Sequence, residues 1–140
     1  MVKNILIILG VLILLSTNLA IAEKPCKETD AKNAALSWLA EVDSGKYAES
    51  WDTAAKYFKN SITKQQWVQS ISAARKPLGK VLSRKLKSAS YQTSLPGAPD
   101  GEYVVIQFNT SFEHKKTAIE TITPMLDSDK KWHVSGYFIK

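Results

Sequence analysis

Glu102-Tyr103-Val104-Val105-Ile106-Gln107-Phe108-Asn109-Thr110-Ser111-Phe112-Glu113 decides the fold, read as one strand over 102–113. Val104, Ile106, Phe108 and Phe112 fall on one side of a two-residue period, with Gln107, Asn109 and Ser111 on the other, the pattern of a strand with one buried face. Outward from it the same period continues. Leu95-Pro96-Gly97-Ala98-Pro99-Asp100-Gly101 is a turn. Before it, 81–94 reads as a long polar strand. After it, His114-Lys115-Lys116 turns the chain into a strand at 117–126, and Asp127-Ser128-Asp129-Lys130 turns it into another at 131–139.

The residues before 81 change to helical spacing. Ala31, Ala34, Ala35, Trp38 and Val42 form one stripe, capped by Thr29 or Asp30 and ended at Ser44-Gly45. Tyr47, Trp51, Ala54, Ala55 and Phe58 form a second, broken over 59–62. Thr63 with Gln66 makes a capping box for a third helix carrying Trp67, Ile71 and Ala74, which Pro77 and Gly79 stop. An amphipathic sheet must bury its apolar face, and these helices are available to cover it. The expected fold is α+β: three N-terminal helices on a curved four-stranded antiparallel meander, a cone that can enclose a pocket.

A two-residue loop at Lys115-Lys116 would pair Phe112 with Ile119, Thr110 with Thr121 and Ile106 with Met125. Met125 would then face Trp132, and Ile119 would face Phe138. That register buries Val104, Ile106, Phe108, Ile119, Met125, Val134 and Phe138 against Trp38, Trp51 and Trp67. It leaves Glu120 on the outer face with Gln107, Ser111 and Tyr137. A slip of one residue would turn Glu120 inward. Pro124 lacks an amide donor, so an edge or bulge is expected there.

The chain is 140 residues long, 44% hydrophobic and 23% charged, enough for one domain and unlike a disordered or disulfide-dense protein. Its first 22 residues carry Lys3, an apolar run from Ile5 to Leu15 broken by Gly10, and Ala20-Ile21-Ala22. This is the layout of a cleaved signal peptide, with the cut between Ala22 and Glu23. The run is too short to cross a bilayer core of about 30 Å. The expected organisation is a signal peptide at 1–22, a short tail at 23–29 and one domain at 30–140. The sole cysteine, Cys26, follows Glu23-Lys24-Pro25, which are unlike the small apolar residues of a lipoprotein signal.

The formal net charge is +6. Residues 53–99 contain no acid and nine basic residues. Arg75, Lys76, Lys80, Arg84, Lys85 and Lys87 are the candidates for contact with an anionic envelope polymer or with membrane headgroups. No nucleic-acid-binding motif accompanies them, so nucleic acid is not expected as a partner. His114 and His133 are the only histidines, and no cysteine cluster joins them. No metal or other cofactor is expected. No nucleophile elbow, zinc-protease motif or phosphate loop is present. Glu120 is the one catalytic candidate, as an acid or base were it to face a dry pocket beside a tyrosine.

Several stretches carry a likeness: Trp38-Leu39, Val42-Asp43-Ser44-Gly45-Lys46-Tyr47-Ala48-Glu49-Ser50-Trp51, Thr63-Lys64-Gln65-Gln66-Trp67 and Pro77-Leu78-Gly79. Leu95-Pro96-Gly97-Ala98-Pro99-Asp100-Gly101-Glu102-Tyr103, Thr123-Pro124-Met125 and Ser135-Gly136-Tyr137-Phe138-Ile139 extend it. Together they resemble the secreted bacterial family called domain of unknown function 4019, over 30–140. The resemblance implies an exported bacterial protein and assigns no activity. More loosely, the element order is similar to the cystatin-like, nuclear-transport-factor-2-like fold, which hosts enzymes and binding modules alike. The expectation is an exported, periplasmic or extracellular, non-enzymatic binding or interaction module of the envelope. The alternative is a small-molecule enzyme of isomerase or dehydratase type using Glu120.

Overall fold

The computed structural model describes residues 26–140; the expected signal peptide and its cleavage site lie outside them. Helices α1 (Lys27–Asp43), α2 (Tyr47–Asp52), α3 (Lys56–Ser61) and α4 (Lys64–Arg75) lead through a 3-10 turn at Lys76–Leu78 into the sheet. Strands β1 (Val81–Gln92), β2 (Tyr103–Phe112), β3 (Lys115–Leu126) and β4 (Trp132–Ile139) pair antiparallel in chain order, an open meander. The class is α+β, as the two periodicities require.

Local chemistry sets the helix ends. Gly45 follows α1 with φ of 74°, a conformation glycine adopts without a Cβ penalty. The capping box opens α4: Gln66 N–H donates to Thr63 Oγ1 at 3.2 Å, and Thr63 N–H donates to Gln66 Oε1 at 3.1 Å. The first helix begins earlier than its capping residues suggest, with Cys26 at the N-cap and exposed. The expected second helix is two helices. Ala55 N–H leaves the helical ladder to donate to the Val134 carbonyl of β4 at 2.8 Å, and Asp127 Oδ2 accepts from Lys56 N–H at 2.9 Å. The sheet thus separates α2 from α3 and caps the start of α3.

The core forms where α1 lies across all four strands. Trp38, Leu39 and Val42 of α1, with Phe58, Trp67 and Ile71, meet Val104, Ile106, Phe108, Ile122 and Val134 of the sheet. Trp51 is half-buried and packs against this cluster. The tryptophan N–H groups are satisfied inside it. Trp38 Nε1 donates to the Ser50 carbonyl at 2.7 Å, and Trp67 Nε1 donates to Ser50 Oγ at 2.9 Å.

The register of β3 differs from the expectation. The turn between β2 and β3 is Glu113-His114, not Lys115-Lys116, and Ile106 pairs with Ile122, Phe108 with Glu120 and Thr110 with Ala118. The shift of three residues is odd, so it reverses the faces of β3. Ala118, Glu120 and Ile122 are buried, whereas Ile119 and Met125 are half-buried and Phe138 is 58% exposed. Glu120 is therefore inward, not on the outer face, and Tyr137 is inward with it. Val104, Ile106, Phe108 and Val134 are buried as expected. The register shift between Thr123 and Pro124 is the irregularity that a proline in a paired strand demands.

Candidate functional site

Glu120 sits on β3 with no exposed surface. Arg84 of β1 lies opposite Thr110 of β2, which lies opposite Ala118 of β3. Their inward side chains converge. Arg84 Nε–H donates to Glu120 Oε1 at 2.7 Å and Arg84 Nη2–H donates to Oε2 at 3.1 Å. The Thr110 hydroxyl donates to Oε1 at 2.5 Å, and the Tyr137 hydroxyl of β4 donates to Oε2. A carboxylate offers about four acceptor positions, and all four are filled.

The network continues to the helices. Asp43, the last residue of α1, accepts from Arg84 Nη1–H at 2.8 Å and Nη2–H at 3.1 Å, and from Arg75 Nη2–H of α4 at 2.8 Å. Two guanidinium groups thus alternate with two carboxylates. Arg75 Nε and Nη1 are buried and make no hydrogen bond. The guanidinium carbon of Arg75 lies 5.0 Å from the centre of the Phe112 ring, whose negative face partly offsets that loss.

Burial works against the charge of Asp43, but bonds from Arg84 and Arg75 outweigh it and hold the carboxyl below its ordinary range. Burial likewise opposes the charge of Arg84. Its bonds to Asp43 and Glu120 reverse the balance, so it holds its proton more firmly than a free arginine. Burial first, then the adjacent Glu120 charge, pushes the Tyr137 phenol far up. Two guanidinium charges thus meet two carboxylate charges inside the protein. Glu120 has no free lone pair to accept a substrate proton.

Of the six basic candidates, Arg75 and Arg84 are not available to an external anion. Their side chains are 5% and 13% exposed and already paired with acids. Lys76, Lys80, Lys85 and Lys87 are exposed and, among the described residues, form no ion pair. Lys85 lines a polar hollow of about 230 Å³ on the sheet with Ser83, Asn109, Ser111, Lys116 and Thr117. Its lining holds no acidic side chain. Lys116 escapes a search for a basic cluster because it lies 31 residues beyond Lys85 and reaches the same surface only through the meander.

His114 is exposed in the β2–β3 turn, away from His133. His133 has Nδ1 at 3.1 Å from the Thr53 carbonyl and Nε2 at 2.7 Å from Asp129 Oδ2, so both ring nitrogens are engaged. Among the described residues no group of three His, Cys, Asp or Glu side chains is placed to hold a metal ion. A larger groove of about 460 Å³ runs between α4 and the end of β4, and Tyr137 lines it.

The sequence offers Tyr137, with Tyr91 and Tyr103, as a strand tyrosine to stand beside Glu120, but does not single out Asp43 or Thr110. Their signal is compositional: of 19 basic residues only Arg75 and Arg84 are arginine, the side chain suited to buried, forked pairing with carboxylates. The family model described as "Protein of unknown function (DUF4019)" matches residues 34–137, so the chain belongs to that family. No curated protein matches the chain.

Proposed function

We propose that this member of the DUF4019 family is an exported envelope protein, periplasmic or extracellular, that binds anionic material and is not a catalyst. The observation that carries the reading is the lysine surface of the sheet. Lys85 and Lys116 stand over a hollow lined by hydroxyl and amide groups, with exposed Lys76, Lys80 and Lys87 on the same run of chain. Cations without internal partners, set among neutral hydrogen-bond donors, suit repeated phosphate or carboxylate groups, on an envelope polymer or on lipid headgroups. The apolar run and Ala20-Ile21-Ala22 support export.

An isomerase or dehydratase using Glu120 as acid or base is the second reading, favoured by the inward position of Glu120. The four donors already on its oxygens weigh against it, because a general base needs a lone pair within reach of substrate.

Retention of the purified protein on an immobilised polyphosphate, and cosedimentation with phosphatidylglycerol vesicles, test the first reading and separate polymer from headgroup. Binding should weaken steeply as salt rises. The variant carrying Lys85→Gln, Lys87→Gln and Lys116→Gln should bind neither. Equal retention of that variant would overturn the lysine surface as the site.

A further inference from the structure

The groove between α4 and the end of β4 is a different place with a different chemistry. It exists because α1 alone lies across the sheet, whereas α4 leans mainly on α2 and the 3-10 turn. Trp67, Ile71 and Ala74 form one wall, Phe138 and Ile139 the other, and Tyr137 lies between them. The Tyr137 hydroxyl is committed to Glu120, so it presents only its ring to the groove. Ala74 is exposed and Leu78 and Ile139 are half-buried, so apolar surface stays open along the groove.

Lys115 and Lys140 complete the lining, and they are its only charged side chains. Neither takes part in an ion pair among the described residues. The Lys140 carbonyl accepts from the Ile119 amide at 2.9 Å and the Lys140 amide donates back, which pins this end of β4 to β3. The groove therefore has apolar walls, two ammonium groups and about 460 Å³ of space, within the range of small-molecule sites.

We propose that this groove binds one monomeric fatty acid, with the acyl chain between α4 and the end of β4 and the carboxylate at Lys115 and Lys140. A polar anion would leave the apolar surface of Ala74, Leu78 and Ile139 along the groove without a partner. A neutral hydrocarbon would leave the two ammonium groups without one. A single apolar tail ending in one anionic group matches both halves of the lining. The site is separate from the lysine surface of the sheet, so either can fail without the other.

Titration of the purified full domain with decanoate, 1-decanol and decyltrimethylammonium, each below its aggregation limit, tests the proposal by calorimetry and by tryptophan fluorescence. Decanoate should bind saturably, one per chain, at least tenfold more tightly than decanol, and the cationic amphiphile should not bind. Ala74→Trp, which fills the groove from an exposed helix position, should weaken decanoate at least tenfold. Lys115→Gln with Lys140→Gln should erase the preference for decanoate over decanol. Far-UV circular dichroism checks that each variant is folded, and Ser70→Trp, from the same wall, replaces Ala74→Trp if the latter is not. Equal affinity for decanoate and decanol, undiminished binding by the filled variant, or no saturable binding at all would overturn the proposal. So would a dimer in sedimentation that Ala74→Trp breaks and decanoate does not, since a second copy would then occupy the groove.

Discussion

Arg84 and Glu120 meet across β2, one on β1 and the other on β3, with their forked pair passing beside Thr110 of the strand between. The pair therefore spans the width of three strands, and Asp43 ties it to the helical layer. Breaking a buried ion pair from one side leaves the other charge unmet, which costs more than the pair itself contributes.

Glu120→Ala should accordingly destabilise the domain by about 3–5 kcal/mol, measured by urea unfolding. Phe108→Ala, which empties a fully packed site, should cost a similar amount, about 3–5 kcal/mol. With Glu120 on the outer face its replacement would have been nearly silent, so the two variants side by side test the register of β3.

That register is the part of the fold the sequence leaves ambiguous. In β2 one face carries Val104, Ile106, Phe108 and Phe112 and the other Gln107, Asn109 and Ser111, and the reading is secure. In β3 one face carries Ile119, Thr121, Thr123 and Met125, the other Ala118, Glu120, Ile122 and Pro124, and neither is plainly the apolar one. A bare carboxylate argues against burying the second set. Its partner, Arg84, lies 36 residues away, and only the paired strands bring it near. The helical stripes, the strand order, the capping box and the proline irregularity are local in origin and legible, whereas the break between α2 and α3 is made by β4 and the turn before it and is not. The site is made of residues that are far apart in the chain, so only its arginine composition hints at it.

The stability of the domain should fall at both ends of the pH scale. The Asp43 carboxyl is held below its ordinary value of 3.8. The unfolded chain binds that proton more readily, so the stabilisation is present above about pH 4 and is lost as pH falls through the folded value. The Tyr137 phenol is raised above its ordinary value of 10.0. Its contribution is present below that value and is lost as pH rises beyond it. Thermal unfolding across pH should show both flanks, with Asp43→Asn flattening the acid side and Tyr137→Phe the alkaline side.

Gly79 joins the 3-10 turn to β1 with φ of 73° and ψ of −157°, a region that other residues hardly enter. A Cβ there would lie 2.9 Å from Glu113 Cβ in the β2–β3 turn. Gly79→Ala should cost about 3 kcal/mol. Gly97→Ala, at φ of 76° with open space around it, should cost about 1 kcal/mol. Equal losses in chemical denaturation would mean that the close approach to Glu113 is unimportant.

Mass spectrometry of the protein recovered from its natural host should find an N-terminus at Glu23, within a residue or two. A product that retains Ile5 to Leu15 would point to an anchored protein instead.

The chain of charges from Arg75 through Asp43 and Arg84 to Glu120 also has a consequence in time. Each link joins residues more than 30 positions apart, and a contact of that span repays its loop-closure cost only after the intervening chain is ordered. If the charges lock after the sheet is paired, Glu120→Ala should raise the rate of unfolding far more than it lowers the rate of folding in stopped-flow kinetics. Interactions absent from the folding transition state hold down the rate of unfolding while leaving the rate of folding almost untouched. The network thus gives the folded domain persistence rather than speed, an asset to any protein that works outside the cell, where a chain that has come undone meets proteases before it can refold.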